Sequence, residues 1–218
     1  MSSGHRVFMR RRSRLVRELR EKGISCERIL AAIGRVAREQ FVEPALRNRA
    51  YEDEALPIGL NQTISQPYTV AYQTMLLDPR PGESILEVGT GSGYQAATLC
   101  EMGVRVYSIE RHVVLHQRAR DTLGALGYRV LLRLGDGTLG WTACAPFDGI
   151  IVTAAALAVP QQLLGQLKQP DGDRPGGRLV VPVGDDRGQT MLRIDCTGEG
   201  TYETHETGLF RFVPLVAG

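Results

Sequence analysis

A chain of 218 residues with 43% hydrophobic and 23% charged side chains lies close to the globular averages of about 45–50% and 25%, which excludes a mostly disordered or fibrous protein. Its 26 basic and 24 acidic residues leave a net charge of +2, too small to draw the whole surface to nucleic acid or a membrane. The charge is uneven: Arg6, Arg10, Arg11, Arg12, Arg14, Arg17 and Arg20 face only Glu18 in the first 20 residues, a local +6 that leaves −4 for the remainder.

Leu15, Val16 and Leu19 sit at helical spacing in this basic arm, and Ile29, Leu30, Ile33 and Val36 repeat the pattern behind Ser25 as N-cap. Two short helices closed by Pro44 are therefore expected, then a long loop over Tyr51 to Pro67, rich in turn formers. From Tyr68 onward helical segments alternate with apolar runs. Helices are predicted at 68–77, 94–101, 113–126 and 160–168, and strands at 84–88, 104–109, 129–134, 148–152 and 178–183. That alternation predicts an α/β fold whose mostly parallel central sheet is covered on both faces. The tail, 190–195 and 201–213, is expected to finish the sheet antiparallel, and Gln169 to Gly177 to form a surface loop. The reading is of one domain over 1–218, with a helical extension (1–50), a loop bordering the site (51–67) and a Rossmann-like core (68–218).

Cys26, Cys100, Cys144 and Cys196 form no C-x-x-C pair, which disfavours a zinc or dithiol site, so no metal is expected. Scattered thiols suit a reducing cytoplasm. No apolar run approaches the roughly 20 residues that span a bilayer, and the first residues lack a secretory core. The expected location is cytoplasmic, without membrane contact.

Gly89-Thr90-Gly91-Ser92-Gly93 follows the first strand of the series and opens a helix, where α/β sheets bind nucleotide-like ligands. The third glycine comes one position early for a dinucleotide fingerprint. Glu87 precedes the turn, Glu110 ends the next strand, and Gly135-Asp136-Gly137 ends the one after. A carboxylate inside the turn repels a pyrophosphate but serves a cation. An acid at the second strand end can accept both ribose hydroxyls, and Asp136 could accept the amine of adenine. S-adenosylmethionine, cationic and without phosphate, fits this pattern better than NAD.

Leu56-Pro57-Ile58-Gly59-Leu60-Asn61-Gln62-Thr63-Ile64-Ser65-Gln66-Pro67-Tyr68, Ile85 through Ala97, Gly135-Asp136-Gly137, Ala145 through Ala155, Gly176 through Gly184 and the ending Phe212-Val213-Pro214-Leu215-Val216 together resemble the protein-L-isoaspartate O-methyltransferase family over roughly residues 14–216. The Thr-Ile-Ser-Gln-Pro and Val-Pro-Leu segments carry most of the specificity. The resemblance implies a class I S-adenosylmethionine-dependent methyltransferase fold. It implies methyl transfer to the free α-carboxylate of L-isoaspartyl residues in aged proteins, the start of repair through a succinimide.

Position by position, it makes Ser65 the active-site serine, which also touches substrate together with Ile58, Gln62, Val213, Pro214 and Leu215. It assigns the cofactor to Thr63, Ile64, Glu87, Gly89, Thr90, Gly91, Ser92, Gly93, Glu110, Arg111, Asp136 and Gly137. A carboxylate with a pKa near 4 is already ionised at pH 7, so no Ser-His-Asp set is needed, and His5, His112, His116 and His205 stand in no motif. Read without the resemblance, Ser65 is the N-cap of helix 68–77, and the two roles can coexist. Leu60, Asn61 and the 169–175 loop depart from the family pattern and bear on substrate preference. Trp141 reads as packing.

Other readings are a methyltransferase of RNA, DNA or a small molecule, a non-catalytic cofactor-binding relative, and a nicotinamide dehydrogenase. An Asn-Pro-Pro-Tyr motif for base methylation is missing, and with 24 arginines against two lysines overall the basic arm reads as a solvated helix face. Nucleic acid is not the expected partner, isoaspartyl proteins and peptides are, and the expected state is a monomer.

Overall fold

The computed structural model describes residues 3–216, with side chains from Arg6 onward, so His5 lies outside the described side chains. Helix α1 (Ser3–Glu21) and helix α2 (Glu27–Arg35) form where the apolar spacing requires. Leu15, Leu19, Ile29, Leu30 and Ile33 are all buried. The N-cap of α2 is Cys26 rather than Ser25, with no side-chain cap bond. Ile24 plugs the core between the helices, its N–H bonding the Leu19 carbonyl at 3.0 Å, and this delays the helix start.

The basic arm is engaged within the chain. Arg12 donates to Tyr51 Oη at 2.9 Å and lies 3.6 Å from Glu39. Arg14 pairs with Glu52 at 2.7 Å, Arg11 reaches the Asn48 carbonyl at 2.7 Å, and Arg20 pairs with Glu27 at 2.9 Å.

Pro44 opens a 3₁₀ turn, Pro44–Arg49, instead of simply closing the helices. The expected 51–67 loop contains a hairpin, β1 (Leu56–Gly59) and β2 (Gln62–Ile64). Leu56, Ile58 and Ile64 point inward at strand spacing, a signal masked by the surrounding turn residues. Leu60 and Asn61 form the tip with φ of +53° and +56°, both left-handed, as in the tight turns that match strand twist.

Then follow α3 (Pro67–Leu77), β3 (Ser84–Val88), α4 (Tyr94–Glu101), β4 (Arg105–Glu110), α5 (Val113–Ala125), β5 (Val130–Leu134), β6 (Gly149–Val152), α6 (Gln161–Leu164), β7 (Arg178–Asp185), β8 (Gly188–Gly198) and β9 (Thr201–Phe210). The main sheet has the order β5-β4-β3-β6-β7-β8-β9. Its first five strands are parallel, while β8 runs antiparallel to both its neighbours. The two faces are covered unequally. Helices α1 to α5 bury Ile85, Val106, Ile151 and Val180, whereas the short α6 and loop residues bury Leu86, Val88, Ile150, Val152 and Leu179. Each such apolar chain contributes about 1.5–3 kcal/mol by burial.

Helix α6 is shorter than the predicted 160–168. Pro160 precedes it, Gly165 ends it, and Gln166 turns inward to accept from Trp141 N at 2.7 Å and donate to the Leu139 carbonyl at 2.9 Å. Trp141 packs edge-on against Tyr107, ring centroids 6.0 Å apart. Strand β9 stops at Phe210 rather than 213, because Phe212 N donates to the Gln189 side chain at 2.7 Å and the chain turns back across the sheet. Among the described residues no helix is long and apolar enough to cross a membrane.

Candidate active site

Strand order reverses at β3, whose neighbours are β4 on one side and β6 on the other. Connections therefore diverge there and leave a crevice beyond the strand ends, the usual ligand position in open α/β sheets. A cleft at this point is lined by Gln62, Thr63, Ile64, Ser65, Glu87, Gly89, Thr90, Gly91, Ser92, Glu110, Arg111, Gly137, Val213, Pro214 and Leu215, all expected site residues. Three expected residues stand elsewhere. Ile58 is buried beneath the glycine turn, its Cδ1 packed toward Gly91, because strand spacing turns it into the core. Gly93 caps α4 with φ +89° and packs on Leu123. Asp136 adjoins the lining residue Gly137, its Oδ1 accepting from Thr138 N at 2.8 Å and Thr138 Oγ1 at 2.7 Å.

The glycine turn is sterically obligatory. At Gly89, φ is +97° and a Cβ would lie 2.5 Å from Thr153 Oγ1, which itself donates to the Gly89 carbonyl at 2.6 Å. A Cβ on Gly137 would meet Val88 Cγ1 at 2.4 Å. Backbone thus forms the floor where a planar ligand could approach.

Two carboxylates meet in this floor. Glu110 is 4% exposed and accepts from Gly91 N at 2.8 Å and His112 N at 2.9 Å, one bond on each oxygen. Each oxygen retains a second lone pair for a hydroxyl. Glu87 is fully buried, on the face of β3 beneath α4. Its Oε2 accepts from Ser108 Oγ, which is 2.6 Å from Thr90 Oγ1, and its Oε1 has no partner. Burial, opposed by the Ser108 bond, pushes its pKa up to about 8, with Glu110 adding to the rise. Such a group keeps its proton at neutral pH, and a positively charged ligand would favour its ionised form. Among the lining residues only Arg111 and His112 are basic.

The opposite wall comes from the two ends of the fold. Ser65 is half-buried and does not cap α3: the N-cap is Gln66, without a side-chain bond. Asp53 takes that work, accepting from Tyr68 N at 2.7 Å while pairing with Lys22 at 2.6 Å. Ser65 is left on the cleft wall with its hydroxyl unbonded among the described residues. Facing it, the tail is pinned where Ala155 N donates to the Val213 carbonyl at 2.8 Å and Leu215 N to the Ala155 carbonyl at 2.7 Å. Arg111 fastens its end through the Val216 carbonyl at 2.7 Å.

Sequence reading missed Asp53, Gln73, Gln95, Ser108 and Thr153. Thr153 follows β6 and could have been found by the same strand-end logic that found Glu110. Ser108 pairs with Glu87 across the β3–β4 ladder, Gln73 reaches the cleft from within α3 and Gln95 from the first turn of α4, so none of these carries a local signal. Of the histidines, His112 lines the cleft, while His205 lies on β9, 3.4 Å from Glu203.

Comparison with known proteins agrees with this geometry. The family model of protein-L-isoaspartate(D-aspartate) O-methyltransferase matches residues 10–218. A protein-L-isoaspartate O-methyltransferase of Salinibacter ruber is 63% identical, covering 98% of this chain and 95% of its own. That of Methylorubrum populi is 51% identical, covering 92% of each. A solved protein-L-isoaspartate O-methyltransferase superposes with a TM-score of 0.82 at 27% identity over 95% of this chain, which spans 66% of that longer protein. A Plasmodium falciparum structure in complex with S-adenosyl-L-homocysteine, described as a beta-aspartate methyltransferase, shares the fold with a TM-score of 0.79 at 21% identity, covering 94% of this chain and 98% of its own. A match running through both walls of the cleft, glycine turn and Ser65 segment alike, means that this chain belongs to the protein-L-isoaspartate O-methyltransferase family.

Proposed function

We infer that the protein transfers a methyl group from S-adenosylmethionine to the free α-carboxylate of L-isoaspartyl residues in damaged proteins and peptides, initiating their repair. Family membership names the reaction. The observation that carries its assignment to this cleft is the unbonded Ser65 hydroxyl, opposite a glycine turn flanked by two buried carboxylates. When bound, S-adenosylmethionine supplies an electrophilic methyl on a sulfonium.

The chain's own residues do the rest. Glu110 accepts the ribose hydroxyls through its second lone pairs, and Glu87 answers the positive charge. Gly89 and Gly91 let backbone approach, Asp136 and Gly137 border the adenine, and Thr63, Ile64, Thr90, Ser92 and Arg111 complete the enclosure. Ser65 donates a hydrogen bond to one oxygen of the substrate carboxylate, leaving the other aimed at the methyl. Gln62, Val213, Pro214 and Leu215 hold the chain that bears it. The nucleophile is ionised at neutral pH, so no general base is required. In-line placement is the main contribution, worth up to about 7–11 kcal/mol in favourable cases.

The enzyme acts as a cytoplasmic monomer on proteins rather than nucleic acid. The ion pairs that tie Arg12, Arg14 and Arg20 to the chain's own carboxylates argue against the arm gripping nucleic acid. The test is methyl transfer from labelled S-adenosylmethionine to an isoaspartyl peptide beside its aspartyl twin, scored as base-labile methanol. Label on the isoaspartyl peptide alone is expected. Label on neither, with cofactor binding intact, would overturn the substrate.

A further inference from the structure

A second hollow lies on the far side of the Val213–Leu215 wall. Leu157, Phe212, Pro214 and Leu215 line it, with Asp185 and Asp186 from the β7–β8 turn at its rim. Pro214 and Leu215 also line the cleft, so the two hollows lie on either side of one strip of chain, the strip that Ala155 pins through both its backbone groups. Leu157 is 84% exposed, and with Phe212, Pro214 and Leu215 beside it in the lining it leaves an apolar surface open to solvent next to the site. No Lys or Arg lines the hollow. Asp185 is paired with Arg187 at 2.7 Å, whereas Asp186 has no ion-pair partner among the described residues.

We propose that this hollow is a subsite for the substrate polypeptide, seating an apolar side chain that flanks the isoaspartyl residue against Leu157 and Phe212, and a neighbouring Lys or Arg against Asp186. The assignment rests on the reading of the cleft as the methylation site. A methyl acceptor inside a protein must have chain leaving the cleft, and an extended chain sends successive side chains to opposite faces. One of these faces the Leu157 floor while the next meets the acidic rim. An acidic neighbour meets repulsion there instead, which gives selection by charge as well as by apolar contact.

The experiment compares four isoaspartyl peptides that differ only in the flanking pair, Leu-Lys, Leu-Glu, Ser-Lys or Ser-Glu, placed on each side of the isoaspartyl residue in turn. On one side the wild-type KM for Leu-Lys is expected to fall about tenfold below that for Ser-Glu, the span of one apolar side chain's partial burial plus an exposed charge contact. In Leu157→Ser the Leu/Ser difference collapses and the Lys/Glu difference stays. In Asp186→Asn the reverse holds, and the wild-type Lys/Glu difference shrinks in high salt. Unchanged thermal midpoints report that both variants fold, as both positions are exposed. Equal KM for all four peptides, or variants that keep both preferences, overturns the subsite alone. Failure to methylate any of them overturns the substrate reading and the subsite with it.

Discussion

The two walls of the cleft are built on different terms. On the proposed cofactor side, Glu87, Thr90 and Glu110 are at most 4% exposed and sit at or just beyond the ends of strands β3 and β4, locked in the parallel ladder. On the proposed substrate side, Pro214 is exposed, Leu60 is half exposed at a left-handed hairpin tip, and the tail is held by a few hydrogen bonds at Ala155 and Arg111. A ligand of fixed shape can be met by a rigid floor. A substrate that arrives in many sequence contexts is better met by a hairpin and a tail that are anchored at points and free between them.

The contrast can be broken hardest at the floor. Gly89→Ala forces a Cβ to 2.5 Å from Thr153 Oγ1 at φ +97°, and overpacking together with backbone strain should cost about 2–4 kcal/mol. The expected result is a lower denaturant midpoint and loss of cofactor binding together. A next pair separates the walls. Ser65→Ala should reduce kcat/KM by about 10- to 150-fold, the value of a hydrogen bond to a charged group, with cofactor Kd unchanged. Glu110→Ala should weaken cofactor binding by about 1–3 kcal/mol on the same grounds. Equal loss of turnover and cofactor affinity in Ser65→Ala would remove the serine from its role, and unchanged cofactor affinity in Glu110→Ala would do the same for the acid.

Glu87 sharpens the comparison through pH. With its pKa raised from 4.5 to about 8, the folded chain keeps a proton that the unfolded chain releases across that window. Stability is therefore fullest below the lower value and falls as pH rises through the upper one. Glu87→Gln should flatten this part of the profile of thermal midpoint against pH. A cation in the cleft favours the ionised form, so cofactor affinity should rise with pH over the same range in the wild type and not in the variant. A flat wild-type profile would refute the buried, partly protonated carboxylate. The smallest effect is expected at the hairpin. Leu60→Asn replaces an exposed leucine at φ +53° by a residue that tolerates the left-handed region, for a gain of about 0.5–1 kcal/mol by denaturant unfolding. No gain would mean that Leu60 is held by contacts rather than strained.

Legibility in the sequence follows the same division. The alternation of apolar runs and helices located every strand of the parallel sheet, because buried strands need continuous β-branched and aliphatic residues. The glycine turn with Glu87 and Glu110 was readable because those groups sit on or beside one strand-turn-helix unit and at the next strand end. The β1–β2 hairpin was hidden, since its short strands lie among turn residues whose composition argues for a loop. Local sequence points to Ser65 as the N-cap of α3, whereas the partner of the helix amide is Asp53, remote in sequence from Tyr68 and bonded to it only after the chain folds back.

By itself, then, the sequence determined the α/β order, the glycine-lined turn and the acids at the strand ends, features written in local patterns of size, polarity and backbone freedom, while the serine segment was legible through the family resemblance. Tertiary structure alone decided that Ile58 and Gly93 support the site from beneath and that Ser108 and Thr90 tie Glu87 into a buried chain. It also decided that the tail crosses back to wall the cleft and that Ser65 keeps its hydroxyl free. Each of these depends on which distant segments share a burial volume and which donor wins each acceptor, and that competition is settled only when the sheet and its crossing segments are assembled.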